Sequence, residues 1–345
     1  MVTTVVLATS ACGSGDDTDA PSNSTTRTTV RIGLAYDIGG RGDKSFNDAA
    51  AAGLDRAKQE LDVQTKDVEA QKAETEEEKY ARLKLLCQAG YDAVIAVGFT
   101  YAGADPAAGP MARAAGECPD TRFAIVDDPS VTAANVANLV FADEQGSFLV
   151  GAAAALKSPA GHVGFVGGCA VDVIKRFQAG YEAGARAVRP DIEIDTHYLS
   201  TPAQGCSGFN APAAGRSAAE AMYDRGADVV YHAAGSSGIG VFQAAKAKGR
   251  WAIGVDSDQH EVVPPNLREV IITSMVKRVD VAVFDFVKTV VENRFKPGVT
   301  TFDLKMDGVG YATSGGRVAD VAPRLEQFKK QIIDGAITVP TRPAD

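Results

Sequence analysis

Acidic residues recur in this sequence where its apolar runs end. Asp37 follows the run VRIGLAY, Asp127 and Asp128 follow RFAIV, and Asp256 follows WAIGV. A single acid at such a place is also typical of a turn or a helix cap. The carboxyl ends of parallel strands meet at one edge of a sheet, where ligands bind. We therefore expect these carboxylates to surround a ligand, and the vicinal hydroxyl groups of a sugar or a nucleoside would suit them as hydrogen-bond donors.

The cations and glycine-rich loops near these acids argue against a phosphorylated ligand. Lys277 follows the apolar run VIITSMV, and it either joins the acidic network or lies on a helix surface. A phosphate needs several cations or a set of backbone amides. The loops GGRG at 39–42 and GSSGIG at 235–240 lack the spacing of a Walker or dinucleotide loop.

Two aromatic residues open predicted helices at equivalent places in the two halves of the chain. Phe46-Asn47 and Phe177-Gln178 are each followed, after four residues, by Ala-Gly. Two rings on opposite walls of a cleft could enclose a flat ligand, and the Asn47 amide could read its edge by both donating and accepting hydrogen bonds. The alternative is that each Phe packs its own helix onto a sheet.

Signatures of enzymes and metal sites do not occur in the sequence. The histidines make no HExxH or HxxxH pair, there is no GxSxG motif, and the cysteines lack the close spacing of a zinc site. We expect no metal, no cofactor and no catalysis. A nucleoside hydrolase or a Rossmann oxidoreductase would need a metal or a dinucleotide that these residues do not accommodate.

The composition of the chain argues against further classes of protein. The chain has 345 residues and a net charge of −9, with no stripe of Lys and Arg, so a nucleic-acid partner is not expected. Its length suits two α/β lobes. No apolar run reaches the roughly 18 residues of a membrane span.

The N-terminus is similar to the end of a lipoprotein signal peptide. The segment 1–12, MVTTVVLATSAC, is apolar and ends in small residues before Cys12, the expected lipidation site. Thr9 stands where Leu is usual and no basic residue precedes the apolar run, so we expect the true start to lie upstream; a cytosolic N-terminus is the alternative. Residues 13–29 are polar, which predicts a flexible tether.

The odd number of cysteines fits an exported lipoprotein. Lipidation of Cys12 leaves four, which allow three pairings or buried free thiols. We favour Cys87–Cys118 and Cys169–Cys206, because each pair then stays within one lobe.

Apolar runs alternate with amphipathic stretches from Val30 onward, which predicts parallel sheets covered by helices on both faces. Ser45 and Asp48 form a possible capping box, and Asp105 with Pro106 marks the start of another helix. The predicted helices span 45–61, 74–89, 106–115, 144–156, 173–188, 211–225 and 237–248.

Motifs along most of the chain resemble the basic membrane protein family, substrate-binding lipoproteins of ABC importers that include the purine-nucleoside receptors. They are DIGGRGDKSFN, FAIVDD, FADEQGSFLVGAAAA, RFQAGYEAG, AAGSSGIGVFQAA, GVDSDQ and TSMVKRVDVAV. The resemblance implies a type I periplasmic-binding-protein fold, two Rossmann-like α/β lobes joined by three crossings with a ligand cleft between them. We expect the first lobe to comprise 30–141 and 259–285, and the second 142–258 and 286–335.

The resemblance also implies a role for each site residue. Phe46 and Phe177 would stack on the purine, and Asn47 and Asp127 would read the base edge. Asp256 and Lys277 would hold the ribose hydroxyls, Asp37 would lie at the mouth, and Gly235 would offer a backbone contact. The expected partners are a nucleoside, an ABC permease and, through the lipid anchor, the membrane. We expect a lipid-anchored monomer at the cell surface or on the periplasmic side of the cytoplasmic membrane.

One segment departs from the family pattern. The stretch TPAQGCSGFNAP, 201–212, is longer and richer in Gly and Pro than expected, and could lie at the cleft rim and alter ligand choice. A receptor for another small polar ligand such as a sugar, and a ligand sensor without transport, stay open as alternatives.

Overall fold

The computed structural model describes residues 29–71 and 74–344, which form two α/β lobes. The predicted lipidation site Cys12 and the tether up to residue 28 lie outside the described residues. None of the described helices is long and apolar enough to cross a membrane.

The strands and helices alternate along the chain as the apolar pattern predicts. The strands are β1 Arg31–Ala35, β2 Gln64–Val68, β3 Ala93–Ala96, β4 Arg122–Val126, β5 Val136–Phe141, β6 His162–Gly167, β7 Glu193–Tyr198, β8 Val229–Ala233, β9 Trp251–Asp256, β10 Ile271–Lys277, β11 Gly298–Phe302 and β12 Val309–Tyr311. The helices are α1 Phe46–Glu60, α2 Glu76–Gln88, α3 Pro110–Glu117, α4 Asp143–Lys157, α5 Asp172–Val188, α6 Pro212–Asp224, α7 Gly238–Lys248, α8 Gln259–Val262, α9 Pro265–Arg268, α10 Val279–Val291 and α11 Ala322–Ile333.

Each lobe is built on a six-stranded sheet. The first sheet has the order β11-β5-β4-β3-β1-β2 and is parallel throughout. The second has the order β12-β10-β9-β8-β6-β7, and only β12 runs antiparallel to its neighbour. Both orders reverse direction next to the first strand of the lobe, which is where ligands bind in such sheets.

The chain crosses between the lobes at three points: between β5 and α4, between β10 and α10, and between β11 and β12. The expected type I fold is confirmed, but the lobe boundaries differ from those expected. The stretch 259–277, expected in the first lobe, ends in β10, which pairs with β9 of the second sheet. β11, expected in the second lobe, pairs with β5 of the first. Strand pairing decides these memberships, and an apolar run by itself does not reveal its pairing partner.

Two helix starts differ from those predicted. Ser45 makes no side-chain cap to α1, whereas Thr75 and Glu78 form a complete capping box at α2. α3 begins at Pro110, which occupies the first turn, where its missing N–H costs nothing. Asp105 instead accepts a hydrogen bond from the Ala107 N–H in the preceding turn.

The internal repeat has a structural explanation. A Cβ added at Gly53 would lie 2.4 Å from the Asp280 carbonyl oxygen of α10, and one at Gly184 would overlap the Phe148 carbonyl of α4. The glycine of each repeat thus permits a close helix–helix contact. In each repeat, the aromatic residue lies near the sheet edge, and the glycine two helical turns later lies where the helix packs closely against another helix.

Candidate functional site

A cavity between the lobes, which we call the inner cavity, is lined by all but one of the site residues predicted from the sequence. It contains about 570 Å³ of empty space, part of which is open to solvent. The predicted residues along its wall are Asp37, Phe46, Asn47, Asp127, Phe177, Gly235, Asp256 and Lys277. Asp128 does not line it, because its carboxylate caps a turn at Ser130.

Two aromatic rings from different lobes meet the same ammonium group in this cavity. Phe46 is the first residue of α1, and Phe177 lies one turn into α5 and is 2% exposed. Lys277 Nζ lies 5.3 Å from the Phe46 ring centroid and 5.1 Å from that of Phe177. Each ring therefore forms part of the wall of the inner cavity, in addition to any role in packing its own helix onto the sheet.

Lys277 is the centre of a buried charge network. Its Nζ lies 2.7 Å from Asp127 Oδ2 and 3.0 Å from Asp143 Oδ1. Burial lowers the pKa of Lys277, but the nearby carboxylates raise it by more, so the amine stays charged. Burial also raises the pKa of Asp143, and Lys277 opposes that effect.

Asp127 has one carboxylate oxygen left for a ligand. Its Oδ1 is buried and has no hydrogen-bond partner among the described residues, while Oδ2 accepts from Lys277. Its φ of 68° lies in the left-handed region, which turns the side chain out of the end of β4. An unpaired buried acceptor is costly, and a donor group on a ligand would remove that cost.

Asp256 joins the two lobes. Its Oδ2 accepts a hydrogen bond of 2.5 Å from Ser45 Oγ of the first lobe. Burial raises the pKa of Asp256 to about 7, against the opposing effects of Lys277 and Ser45. This carboxyl is therefore close to half-ionised at neutral pH. A second link across the lobes runs from Gln259 Nε2 to the Lys44 carbonyl, at 2.8 Å.

The Asn47 amide is largely used within its own loop. Nδ2 donates to Asp43 Oδ2 at 2.9 Å and to the Ile38 carbonyl at 3.3 Å, and Oδ1 accepts from the Asp37 N–H at 3.1 Å. Only one lone pair on Oδ1 is left, so the amide cannot both donate to and accept from a ligand in this arrangement.

Asp37 is also held by its surroundings. Its carboxylate accepts from the Ile38 N–H and from Thr100 Oγ1, and burial raises its pKa. Gly235 has a φ of 55°, and a Cβ added there would lie 3.0 Å from the Phe209 carbonyl oxygen. Its backbone is consequently exposed to the cavity where a side chain would not fit.

Two further aromatic residues close one side of the inner cavity, which we call the mouth. Phe99 from the first lobe and Phe209 from the second meet edge to face, with ring centroids 6.4 Å apart. Neither residue was predicted from the sequence. Phe99 comes shortly after the end of β3, so the attention to strand ends that identified the acids could also have identified this residue. Phe209 lies in the 201–212 segment, which has no periodic pattern.

Both favoured cysteine pairs are bonded in the structure, with Cα–Cα distances of 6.3 Å for Cys87–Cys118 and 5.1 Å for Cys169–Cys206. The first lies in the first lobe. The second ties the segment containing Phe209 to the end of β6, next to the cavity.

One cluster of possible metal ligands lies far from the inner cavity, at the amino ends of β6 and β7. His162 Nε2 is 3.2 Å from Asp195 Oδ2 and 3.8 Å from Glu193 Oε1. Arg225 Nη2 lies 2.9 Å from the same Asp195 oxygen and already neutralises it. The described residues of the inner cavity supply no comparable cluster.

The model of the PnrA-like ABC transporter substrate-binding proteins matches residues 30–342. The chain belongs to this family. It is 33% identical to the CD4+ T-cell-stimulating antigen of Listeria innocua over 96% of this chain and 94% of that protein. It is 31% identical to the ABC transporter nucleoside-binding protein BmpA of Lactococcus lactis, over 92% and 90%. A solved solute-binding protein of an ABC transporter from Aeropyrum pernix superposes with a TM-score of 0.77 at 29% identity, over 92% and 94%.

Membership of this family fixes the general function. The protein is a substrate-binding component of an ABC transporter and is not an enzyme. Its ligand is a solute, its protein partner is the transporter's membrane complex, and it acts outside the cytoplasm. The predicted family is confirmed.

Proposed function

We propose that the protein captures an unphosphorylated nucleoside, most simply a purine nucleoside, between its two lobes and delivers it to an ABC importer. The observation that carries this proposal is the pairing of Phe46 and Phe177 around Lys277, with the acceptors Asp127 and Asp256 on the same cavity wall. A nucleoside has both a planar ring for the aromatic pair and hydroxyl groups for the carboxylates. The Lactococcus relative described as nucleoside-binding supports the same assignment.

Each residue of the inner cavity is assigned to one part of the nucleoside. Phe46 and Phe177 stack on the base, and Asp127 Oδ1 accepts from an N–H on its edge. Asp256 and Lys277 bind the ribose hydroxyls, and Gly235 offers a backbone contact. Asn47 accepts one hydrogen bond and otherwise holds Asp37 and Asp43 in place, which assigns it mainly to positioning.

The charges of the inner cavity favour a neutral ligand. Asp37, Asp43, Asp127 and Asp256 line it, and Lys277 is its lining cation. A phosphate group would add two negative charges to a site where Lys277, the one cation among the described lining residues, is already paired with carboxylates. Nucleotides should therefore bind far more weakly than nucleosides.

Delivery requires the protein to stay near its permease. We assign Cys12 as a lipid anchor and residues 13–29 as a tether, so that a monomeric receptor works at the outer side of the cytoplasmic membrane. Ligand binding selects the closed form, and the permease recognises it.

Isothermal titration of ligand-stripped, refolded protein tests the proposal. The panel is adenosine, guanosine, inosine, uridine, cytidine, ribose and AMP. We expect sub-micromolar binding of one or more nucleosides, with ribose and AMP inert. Binding of ribose alone would replace the nucleoside by a sugar, and a folded protein that binds none of the panel would contradict the proposed ligand class.

A further inference from the structure

We propose that Phe209 is a further ligand-enclosing residue, and that the Cys169–Cys206 disulfide positions it so that Phe99 and Phe209 limit the size of the ligand. This inference rests on the proposed nucleoside function and adds a specificity-determining residue to it. It assigns a role to the segment 199–211, which we call the lid loop.

The lid loop separates two cavities. Phe209 lines the inner cavity, while Cys206, Ser207 and Asn210 of the same loop line a second, outer cavity of about 1880 Å³ that is open to solvent. Phe99 lines both cavities. The contact between Phe99 and Phe209 therefore forms part of the wall between the ligand and the outside.

The lid loop is fixed to the second lobe at several points. Cys169 is fully buried and Cys206 is 4% exposed, so their bond anchors the loop inside the lobe. The Phe209 carbonyl accepts a hydrogen bond of 3.0 Å from Ser236 Oγ. Gly168 lies directly beneath the Phe209 ring, since a Cβ there would come within 2.4 Å of it. The anchored lid loop and the contact with Gly168 therefore fix the position of the Phe209 ring.

The mouth can form only when the lobes are closed. Phe99 follows β3 of the first lobe and Phe209 belongs to the second, so opening the lobes separates their rings. In the closed form a bound ligand must fit behind the ring pair, and it cannot leave until the pair parts. Phe209 should accordingly slow dissociation and exclude ligands with a bulky substituent on the mouth side.

Dissociation kinetics of Phe209→Ala test the enclosing role. Stopped-flow or surface-based measurements with the tightest nucleoside of the panel should show dissociation about three- to tenfold faster, with an association rate changed by less than about threefold. Phe209→Tyr should restore slow dissociation. Phe295→Ala is the matched control, since this half-buried ring lies against Arg122 at the amino end of β4. An unchanged dissociation rate in Phe209→Ala would overturn the role.

The size limit has its own test. Adenosine derivatives with a benzyl group on N6 or on O5′ are compared with adenosine in the wild-type protein, in Phe99→Ala and in Phe209→Ala. We expect the wild-type protein to reject at least one derivative and both variants to gain at least about tenfold in relative affinity for it. Equal ratios in all three proteins would refute a size limit at the mouth.

The disulfide's positioning role is tested with a pair of double variants. Cys169→Ser/Cys206→Ser should speed dissociation, and adding Phe209→Ala should then have little further effect, because the ring is no longer held. Cys87→Ser/Cys118→Ser should leave dissociation unchanged. Additive effects of Phe209→Ala and loss of the Cys169–Cys206 bridge would contradict positioning.

The failure of this proposal can be distinguished from the failure of the proposed function. A wild-type protein that binds no nucleoside contradicts the function before any variant is compared. In that case spin labels at Glu69 and Gln204, on opposite sides of the outer cavity, measure lobe closure without a ligand. A closed fraction that is lower in Phe209→Ala supports the mouth contact, and an unchanged fraction overturns it.

Discussion

Lys277 neutralises two carboxylates that have almost no contact with water. Asp143 is fully buried, Asp127 is 8% exposed, and Lys277 itself is 1% exposed. A buried pair of this kind contributes little net stability, but removal of one partner leaves an unpaired buried charge. Lys277 and Asp127 line the inner cavity, and Asp143 pairs with Lys277; we call these three residues the cavity floor, and they stay intact only as a unit.

Replacement of Lys277 by Met should lower the free energy of unfolding by about 3–5 kcal/mol, because Asp127 loses its cation and Asp143 keeps only the longer contact with Arg176. Urea denaturation measures the loss. Lys157→Met is the control, since its exposed pair with Asp320 should matter by less than about 1 kcal/mol. Equal losses in the two variants would show that the cavity floor is not a coupled network.

The raised pKa of Asp256 predicts a pH dependence of binding. The carboxyl ionises as the pH rises through about 7, and ribose hydroxyls donate to the ionised form. Affinity should therefore increase with pH between 6 and 8, by at most about tenfold per pH unit. Titration calorimetry at several pH values measures this slope.

Two variants identify the group responsible for the slope. Asp256→Asn should bind weakly and without the pH dependence. Burial also raises the pKa of Glu144 to about 7, but Glu144 does not line the inner cavity, so Glu144→Gln should keep the slope. A slope that persists in Asp256→Asn would assign the titration to another group.

At the residue scale the sequence revealed the strand-end positions and not the supporting ones. Asp127 and Asp256 follow apolar strands, so the geometry of a parallel sheet was enough to bring them together. Asp143 was missed because it reads as an ordinary acid in the first turn of a helix. The prediction that Asn47 both donates and accepts also did not account for Asp43, which takes one of its amide protons.

At the scale of elements, the N-terminus of α1 lacks the side-chain cap that its sequence suggests, whereas the N-terminus of α2 has a cap that was not predicted. Ser45 was predicted to cap α1, but its hydroxyl reaches across to Asp256 of the other lobe. Thr75 caps α2 through a reciprocal pair with Glu78. A cap motif identifies a residue able to donate and accept, whereas tertiary structure decides which partner it meets.

Two alanine variants should separate these roles. Thr75→Ala should lower stability by about 1 kcal/mol and leave ligand affinity unchanged, because the lost hydrogen bonds lie within one helix. Ser45→Ala should weaken binding by about 0.5–1.5 kcal/mol with little loss of stability, because its bond forms between the lobes. Thermal unfolding and calorimetry on both variants give the comparison. A large loss of stability in Ser45→Ala would indicate that Ser45 caps α1.

Helix and strand positions followed from sequence more readily than their assignment to a lobe. Alternating apolar runs located most of the elements, but β2 was missed because its residues are largely exposed and carry no apolar face. The lobe boundaries were displaced because β10 and β11 pair with strands distant in sequence, and such long-range pairing leaves no local signal.

At the scale of the whole molecule, the two disulfides should serve different purposes. Cys87–Cys118 closes a 31-residue separation inside the first lobe, away from the inner cavity. Its removal should lower the free energy of unfolding by about 2–4 kcal/mol without changing ligand affinity. Urea denaturation and calorimetry of Cys87→Ser/Cys118→Ser check both expectations, and a loss of affinity in a folded variant would contradict this separation.

The position of Lys277 restricts how this receptor can be redirected to a new cargo. Lys277 lies one residue before the crossing at Arg278, and Asp143 lies one residue after the crossing at Ala142, so two of the joints are fastened together on the cavity floor. A substitution in the cavity floor that suits a new solute therefore also changes the opening and closing motion of the lobes. Phe99 and Phe209 lie at the mouth, away from those joints. Directed evolution toward another solute should collect its first beneficial substitutions at the mouth, while changes to the cavity floor are eliminated by selection.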